Sequence, residues 1–315
     1  MIEKEIIIVG GGPAGAACAW KLKQRGITPL VLDKDSFPRP KVCAGWVTPD
    51  VFRLLEFQGG DYPYTFSQFD RIYFHLFGIK IPVPTRQYAV RRYEFDAWMI
   101  SRARVPVHTH CVRNIIRENG FYIIDDQYRC RYLIGAGGTH CPVYKTFFSE
   151  KRSRPTKSLI VAVEKEYPYD ISHDQCHLWF FDHGLPGYAW YVPKGNSWLN
   201  IGIGGKFHRL KQREQNIMEQ WHHFTKALQK KGFIGEKPPG PKGHSYYFQH
   251  GPKNYRQDNA FIIGDAAGLS TLDMGEGIHG AVLSGIRAAD AIVENKPFAL
   301  PHLARFSLPK ILLPD

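Results

Sequence analysis

The chain has 315 residues, 43% of them hydrophobic and 22% charged, which is ordinary globular usage and excludes a disordered or fibrous architecture. Its length suits about two domains rather than one core. The 41 Lys and Arg against 29 Asp and Glu leave a formal charge of +12, which favours anionic partners such as cofactor phosphates, a diphosphate or a lipid surface.

The chain opens MIEKEIIIVGGG, with glycines where the apolar core of a signal peptide would continue. No apolar run is long enough for a transmembrane helix. Six cysteines lie far apart with no C-x-x-C pair, so reduced thiols and a cytoplasmic location are expected, with peripheral contact at an anionic membrane as an alternative.

The first elements are a strand at Glu5–Val9, a helix at Pro13–Gln24 stopped by Gly26, and a strand at Thr28–Leu32 that ends on Asp33. Between strand and helix stands Gly10-x-Gly12-x-x-Gly15, the dinucleotide fingerprint in its proper context. Gly10 allows the tight turn, Gly12 lets the backbone approach a pyrophosphate, and Gly15 lets the helix pack against the strand. Pro13 and Ala14 form the helix start, whose unpaired N–H groups face the phosphates. Asp33 is placed to accept from ribose hydroxyls.

FDRIYFHLFGIKIPVP (69–84) reads as a pair of strands, and YLIGAGGTHCPV (132–143) as a strand and turn joining the nucleotide-binding sheet. Further strands follow in SLIVAVEKEYPY, CHLWFFDHG, YAWYVP and WLNIGIGG. Tyr188 and Trp190 alternate, so they share one face of a strand that Pro193 closes; that face is either core or a pocket wall.

LNIGIGGKFHRLKQ (199–212) also runs from strand to helix, but Phe207 occupies the place of a third glycine. A single dinucleotide site favours a resident FAD over separate FAD and NAD domains. Residues 209–232 form a long amphipathic helix whose stripe Ile217, Trp221, Phe224 and Leu228 packs on the sheet. His173, His177 and His183 lack metal-ligand spacing, so no metal is expected. Nothing resembles a base-reading module, and no nucleic acid is expected. Last come a strand at Ala260–Ile263, the turn Gly264-Asp265, glycines at 268, 275 and 277, and a helix from Ile278 to Val293. An acid directly after a strand suits ribityl hydroxyls, and Gly275, Gly277 and Ile278 bring a helix N-terminus to the flavin.

With PRPKVCAGW (38–46), RRYEFDAWM (91–99), YLIGAGG and GDAAG…GEGI, the chain resembles FAD-dependent oxidoreductases of the geranylgeranyl reductase family, which share the para-hydroxybenzoate hydroxylase fold. The resemblance implies an α/β fold, α+β overall: a Rossmann-like FAD domain (1–65, 92–157 and 254–315) interleaved with an antiparallel-sheet substrate domain (66–91 and 158–253). It further implies reduction of carbon–carbon double bonds in an apolar, isoprenoid or quinone-like substrate by hydride from reduced flavin. Cys43 of Cys43-Ala44-Gly45 matches the family cysteine beside the isoalloxazine, and is the candidate catalytic residue. Lys41, Ala44, Arg92 and Val112 match cofactor contacts. Tyr188-x-Trp190-x-x-Pro193 resembles the family's Y-x-W-x-F-P signature, with Val192 in place of Phe, in a strand lining the substrate cavity. Leu272 departs from the proline of many members. The electron donor is left open between NADH, NADPH and ferredoxin. A flavin monooxygenase or halogenase on the same fold, and an electron-transfer flavoprotein or quinone-linked relay, are the competing readings.

Overall fold

A computed structural model describes residues 1–151, 153–170, 173–250, 254–301 and 303–312. Its first third runs β1 (Ile2–Val9), α1 (Pro13–Gln24), β2 (Leu30–Asp33), β3 (Trp46–Val47), α2 (Pro49–Leu54), β4 (Phe66–Leu76), β5 (Ile79–Val90) and α3 (Arg92–Ala103). Then come β6 (Val107–Thr109), β7 (Ile115–Glu118), β8 (Phe121–Ile124), β9 (Tyr128–Gly135), α4 (Pro142–Phe147), β10 (Leu159–Pro168), β11 (Cys176–Phe180), β12 (Gly187–Lys194) and β13 (Trp198–Lys206). The last stretch holds α5 (Phe207–Gln212), α6 (Ile217–Lys230), β14 (Lys242–Tyr247), β15 (Arg256–Gln257), β16 (Ala260–Ile262), α7 (Ile278–Val293) and α8 (Leu308–Leu312).

The strands form two sheets. The first has the order β15-β16-β9-β1-β2-β6, with β8 on β9 and β7 on β8. β1 pairs in parallel with β2 and β9, the arrangement a strand–helix–strand crossover produces. Pro13 at the first helical position presets α1, and Gly26, at φ +82°, takes the chain out of it. α1 packs so tightly on α7 that a Cβ at Gly285 would fall 2.3 Å from the Ala14 carbonyl oxygen.

The second sheet has the order β14-β10-β13-β12-β11-β4-β5-β3. One face buries Tyr191, Leu199, Ile201 and Ile203 under Trp221, Phe224 and Leu228 of α6. The other carries Trp190, Leu178, Ile72 and Val83 and meets Met274 and Ile311. The strands of the first sheet all fall within 1–65, 92–157 or 254–315, and those of the second within 66–91 or 158–253, except β3. On this partition we propose the same two-domain division, with Trp46–Val47 added to the substrate sheet; residues 152, 171–172, 251–253, 302 and 313–315 of the proposed segments lie outside the described residues.

The expected long helix over 209–232 is two helices. Glu214 takes φ +52°, and the Asn216 side chain accepts from the Met218 N–H at 2.8 Å, starting α6 afresh. The second strand begins at Leu30 rather than Thr28, and Val112 lies three residues beyond the end of β6.

Candidate functional site

The turn after β1 is shaped by steric exclusion. Gly10 has φ +110°, and a Cβ there would sit 2.4 Å from the Ala136 carbonyl oxygen; one at Gly15 would sit 1.9 Å from the Gly10 carbonyl oxygen. At Gly12 the nearest atom to an added Cβ is Arg39 Nη2 at 3.6 Å, so that flank is open. Asp33, buried at the end of β2, accepts from the Gly11 N–H at 2.7 Å and from the Asp35 N–H at 3.0 Å. Val112 is half-buried in the chain that continues from β6, which pairs with β2 at Asp33.

Arg39 was not singled out by the sequence. It stacks on Phe37, lies 3.6 Å from Asp33 Oδ2 and 3.8 Å from Asp96 Oδ2, and its buried Nε has no hydrogen-bond partner among the described residues. A buried unsatisfied guanidinium nitrogen is costly unless an acceptor fills the place. With the open Gly12 flank and the α1 N-terminus, it fits an anionic dinucleotide.

Across α3, Arg92 is buried and forms a bidentate pair with Asp96 at 2.7 and 2.9 Å. Its guanidinium also reaches Cys43, and its charge is further stabilised by both groups despite burial. Lys41 Nζ donates to His244 Nε2 of β14 at 2.9 Å. Burial lowers the Lys41 ammonium from its usual value, opposed by Asp265; burial and Lys41 push His244 down to about 4, so its ring is neutral at physiological pH.

Gly264 and Asp265 form the turn after β16, and Gly277 caps α7, with its Cβ position 3.4 Å from Asp265 Oδ1. Ile278 is buried in the first turn of α7. Gly275 needs glycine twice over: its φ is +65°, and a Cβ would lie 2.3 Å from Tyr246 Oη. Burial raises both Tyr246 and Tyr188, and each electrostatic environment includes Cys43. Two neutral phenols therefore flank the 274–275 turn, Tyr188 against the Met274 carbonyl and Tyr246 against Gly275.

Tyr188 is half-buried and donates to the Met274 carbonyl at 2.6 Å; Trp190 is 6% exposed. Both lie on the sheet face towards Met274, and their cross-strand partners are Gly204 and Gly202. A Cβ at Gly202 would meet the Trp190 ring at 2.2 Å, so this glycine leaves room for the indole rather than for a phosphate. Pro193 belongs to the opposite parity, with Tyr191 and its partner Leu199, and so lies on the α6 face, away from Tyr188 and Trp190.

From Trp190 a polar chain leads to Cys43. The indole Nε1–H donates to Asn200 Oδ1 at 2.7 Å, which fixes the amide orientation because an indole N–H can only donate. Asn200 Nδ2 then donates to Glu164 Oε2 and, at 3.3 Å, to the Cys43 carbonyl. Glu164 Oε1 accepts the Cys43 N–H at 3.1 Å.

Models of two families match the chain: an NAD(P)-binding Rossmann-like domain over residues 8–48 and a geranylgeranyl reductase catalytic domain over residues 159–237. An uncharacterized protein of Methanosarcina barkeri is 31% identical over 311 residues, covering 93% of this chain and 75% of its own. Digeranylgeranylglycerophospholipid reductase 2 of Methanopyrus kandleri is 23% identical, covering 93% and 78%. The chain belongs to the geranylgeranyl reductase family. It is a flavin-dependent oxidoreductase of that type. The crystal structure of a geranylgeranyl bacteriochlorophyll reductase-like protein from Thermoplasma acidophilum superposes with a TM-score of 0.80 at 20% identity, covering 94% of this chain and 81% of the other. A flavin-dependent brominase, Bmp2, shares the fold with a TM-score of 0.70 at 19% identity over 93% and 79%.

In this family member, Cys43, Ala44, Lys41, Arg92 and Asp265 come from the nucleotide-binding sheet's loops and helices, and Tyr188 and Trp190 from the second sheet. Glu164, Asn200, His244 and Tyr246 join them unannounced by any local motif. Among the described residues no group of three or more His, Cys, Asp or Glu is placed to hold a metal ion, and no helix is long and apolar enough to cross a membrane.

Glu164 has a measurable consequence for stability. Burial pushes its carboxyl up to about 7 from 4.5, against the N–H donors of Asn200 and Cys43 and the charge of Lys194. Between those two pH values the unfolded chain has lost the proton and the folded chain keeps it, so stability falls as pH rises through the window. At about 1.4 kcal/mol per pH unit the loss reaches ~3 kcal/mol. The expected result is that Glu164→Gln, which cannot ionise, has a flatter stability curve from acidic to neutral pH in urea melts; an unchanged slope would contradict it.

Proposed function

We propose that the protein reduces carbon–carbon double bonds of an isoprenoid-bearing lipid, with FAD as its resident cofactor. The reading is carried by the meeting, at one seam, of the Cys43 loop, the Asp265 turn and the sheet face bearing Tyr188. The relative named for reduction of a digeranylgeranylglycerophospholipid supports the substrate class.

The adenosine and pyrophosphate half suits Gly10, Gly12, the α1 N-terminus, Asp33, Arg39 and Val112. Asp265 and the α7 N-terminus at Gly277 and Ile278 suit the ribityl and ring half. Bound FAD, once reduced, supplies hydride. Lys41 and Arg92 add positive charge beside that site, while Asp96 fixes Arg92 in place. Burial keeps Tyr188 and Tyr246 neutral; the Tyr188 hydroxyl is committed to the Met274 carbonyl, so among the described residues Tyr246 is the phenol whose O–H is open to donate a hydrogen bond to substrate.

The apolar surface continues from Trp190 and Tyr188 across Phe180 and Leu76 to Ile79, and across Phe74 to Ile81, all on one face by strand register. Exposure rises along it to 41% at Ile81 and 64% at Ile79. Such a track suits an extended hydrocarbon chain with few polar groups.

The test begins with the purified protein, expected to be yellow and to release FAD rather than FMN on denaturation. Reduced anaerobically with NADH, NADPH or reduced ferredoxin in turn, it is expected to be reoxidised by a geranylgeranyl lipid that gains one H2 per saturated bond by mass. Oxygen incorporation into substrate instead assigns it to the monooxygenases or halogenases. Exchange with quinone and no saturation assigns it to electron relays.

A further inference from the structure

We infer that Glu164, seated against Asn200, is a positioning residue for the Cys43 loop, a latch whose grip depends on whether its carboxyl carries a proton. Both oxygens of Glu164 already face N–H donors, Oε1 the Cys43 amide and Oε2 the Asn200 side chain. An ionised carboxylate accepts both. A neutral acid keeps a lone pair for each donor, but it carries the added proton on one oxygen and loses the charge that strengthens both bonds, so the grip weakens. Asn200 cannot turn its oxygen round to receive that proton, because the Trp190 indole holds Oδ1. Since Asn200 also ties the Cys43 carbonyl, weakening either bond loosens the backbone of residue 43, whose thiol is separately held by the Gly45 N–H at 3.4 Å and by Arg92.

The rest of the loop is pinned independently. The Val90 N–H donates to the Gly45 carbonyl at 2.9 Å, and a Cβ at Gly45 would meet Lys194 Nζ at 2.5 Å. The latch therefore acts on Cys43 and Ala44 rather than on the whole segment.

The charged groups around Glu164 come from each element that packs on it. β12 presents Lys194, which is itself paired with Glu166 at 2.5 Å; β10 contributes that Glu166, also bound by Arg91 at 3.1 Å; β14 places the exposed Lys242 opposite Glu164 in register. β13 offers the neutral Asn200. With the carboxyl near 7, the latched and loosened states exchange around neutral pH, the proton coming from and returning to water.

The inference rests on the proposed function only for its consequence, a thiol that shifts beside the flavin; the latch itself is read without turnover. Cys18, Cys130, Cys141 and Cys176 are buried and Cys111 is exposed, so in a Cys111→Ser background Cys43 is the accessible thiol. The flavin-loaded protein is reacted with a dithiodipyridine across the neutral range. Besides the thiol's own ionisation, a second step centred near pH 7 is expected, with Cys43 more accessible below it. Glu164→Gln should lack that step. Asn200→Ser removes a donor that favours the ionised form, so the step should move up by about one pH unit. A wild-type profile without the step, a step retained in Glu164→Gln, or a step unmoved in Asn200→Ser overturns the inference. Should Glu164→Gln not fold, the Asn200→Ser shift decides alone.

Discussion

Gly12→Val protein is expected to fold normally and to leave purification colourless. The added side chain meets no backbone: the nearest neighbour of a Cβ at this position is the end of Arg39, at 3.6 Å, and Gly12 has an ordinary φ of −68°. Gly12 makes no side-chain cap for α1, so losing it at the N-cap costs within about 1 kcal/mol. The valine instead fills the flank through which a pyrophosphate must approach the α1 N-terminus. Gly15→Ala makes the contrast. Its Cβ would lie 1.9 Å from the Gly10 carbonyl oxygen, backbone that cannot give way without parting α1 from β1, so this protein is expected to lose the fold along with the flavin. Retained cofactor is itself stabilising, by about 3–4 kcal/mol when present at 100–1,000 times its dissociation constant. The comparison for Gly12→Val is therefore flavin-free wild type. Equal urea midpoints for those two, with flavin absent from the variant, support the cradle. A yellow Gly12→Val protein places the nucleotide elsewhere.

That cradle was legible in the sequence because every part of it is local. Gly10 through Gly26 fix a turn, a helix start and a helix stop by backbone sterics alone, and α1 spans the residues expected, Pro13–Gln24. The same holds for α7 at Ile278–Val293. The break between α5 and α6 was also written in the chain, as Asn216 three residues before Glu219, an N-cap signal that the continuous amphipathic stripe masked. The polar lining of the site was not legible. Glu164, Asn200 and His244 sit in strands whose patterns look like ordinary sheet, and reach Cys43 or Lys41 only through register between strands far apart in sequence. Arg39 lay inside the recognised PRPKVCAGW, but only the fold shows its Nη2 beside Gly12 and its buried Nε without a partner among the described residues.

Trp190→Ala is expected to lower stability by about 3–5 kcal/mol, the range for emptying a large aromatic from a core. The ring is 6% exposed, lies over Gly202, and packs with Leu178, Val192 and Met274. Neighbouring strands cannot collapse into the space, because Gly202 and Gly204 carry no side chains to move. Trp190→Phe separates volume from hydrogen bonding. It keeps most of the ring but leaves Asn200 Oδ1 without its donor, at about 1–3 kcal/mol, and releases the amide that grips Glu164 and the Cys43 carbonyl. Tyr188 should behave differently. It is half-buried and tied to the Met274 carbonyl by its hydroxyl alone, so Tyr188→Phe costs about 1 kcal/mol. Tyr188→Ala should weaken an apolar ligand by about 1–3 kcal/mol while costing less stability than Trp190→Ala. Urea melts and ligand-induced fluorescence quenching on the four variants tell the two aromatics apart. If Trp190→Ala stays within about 1 kcal/mol of wild type while ligand affinity collapses, the indole is a pocket wall and the Trp190–Asn200 bond is not what holds the Cys43 loop.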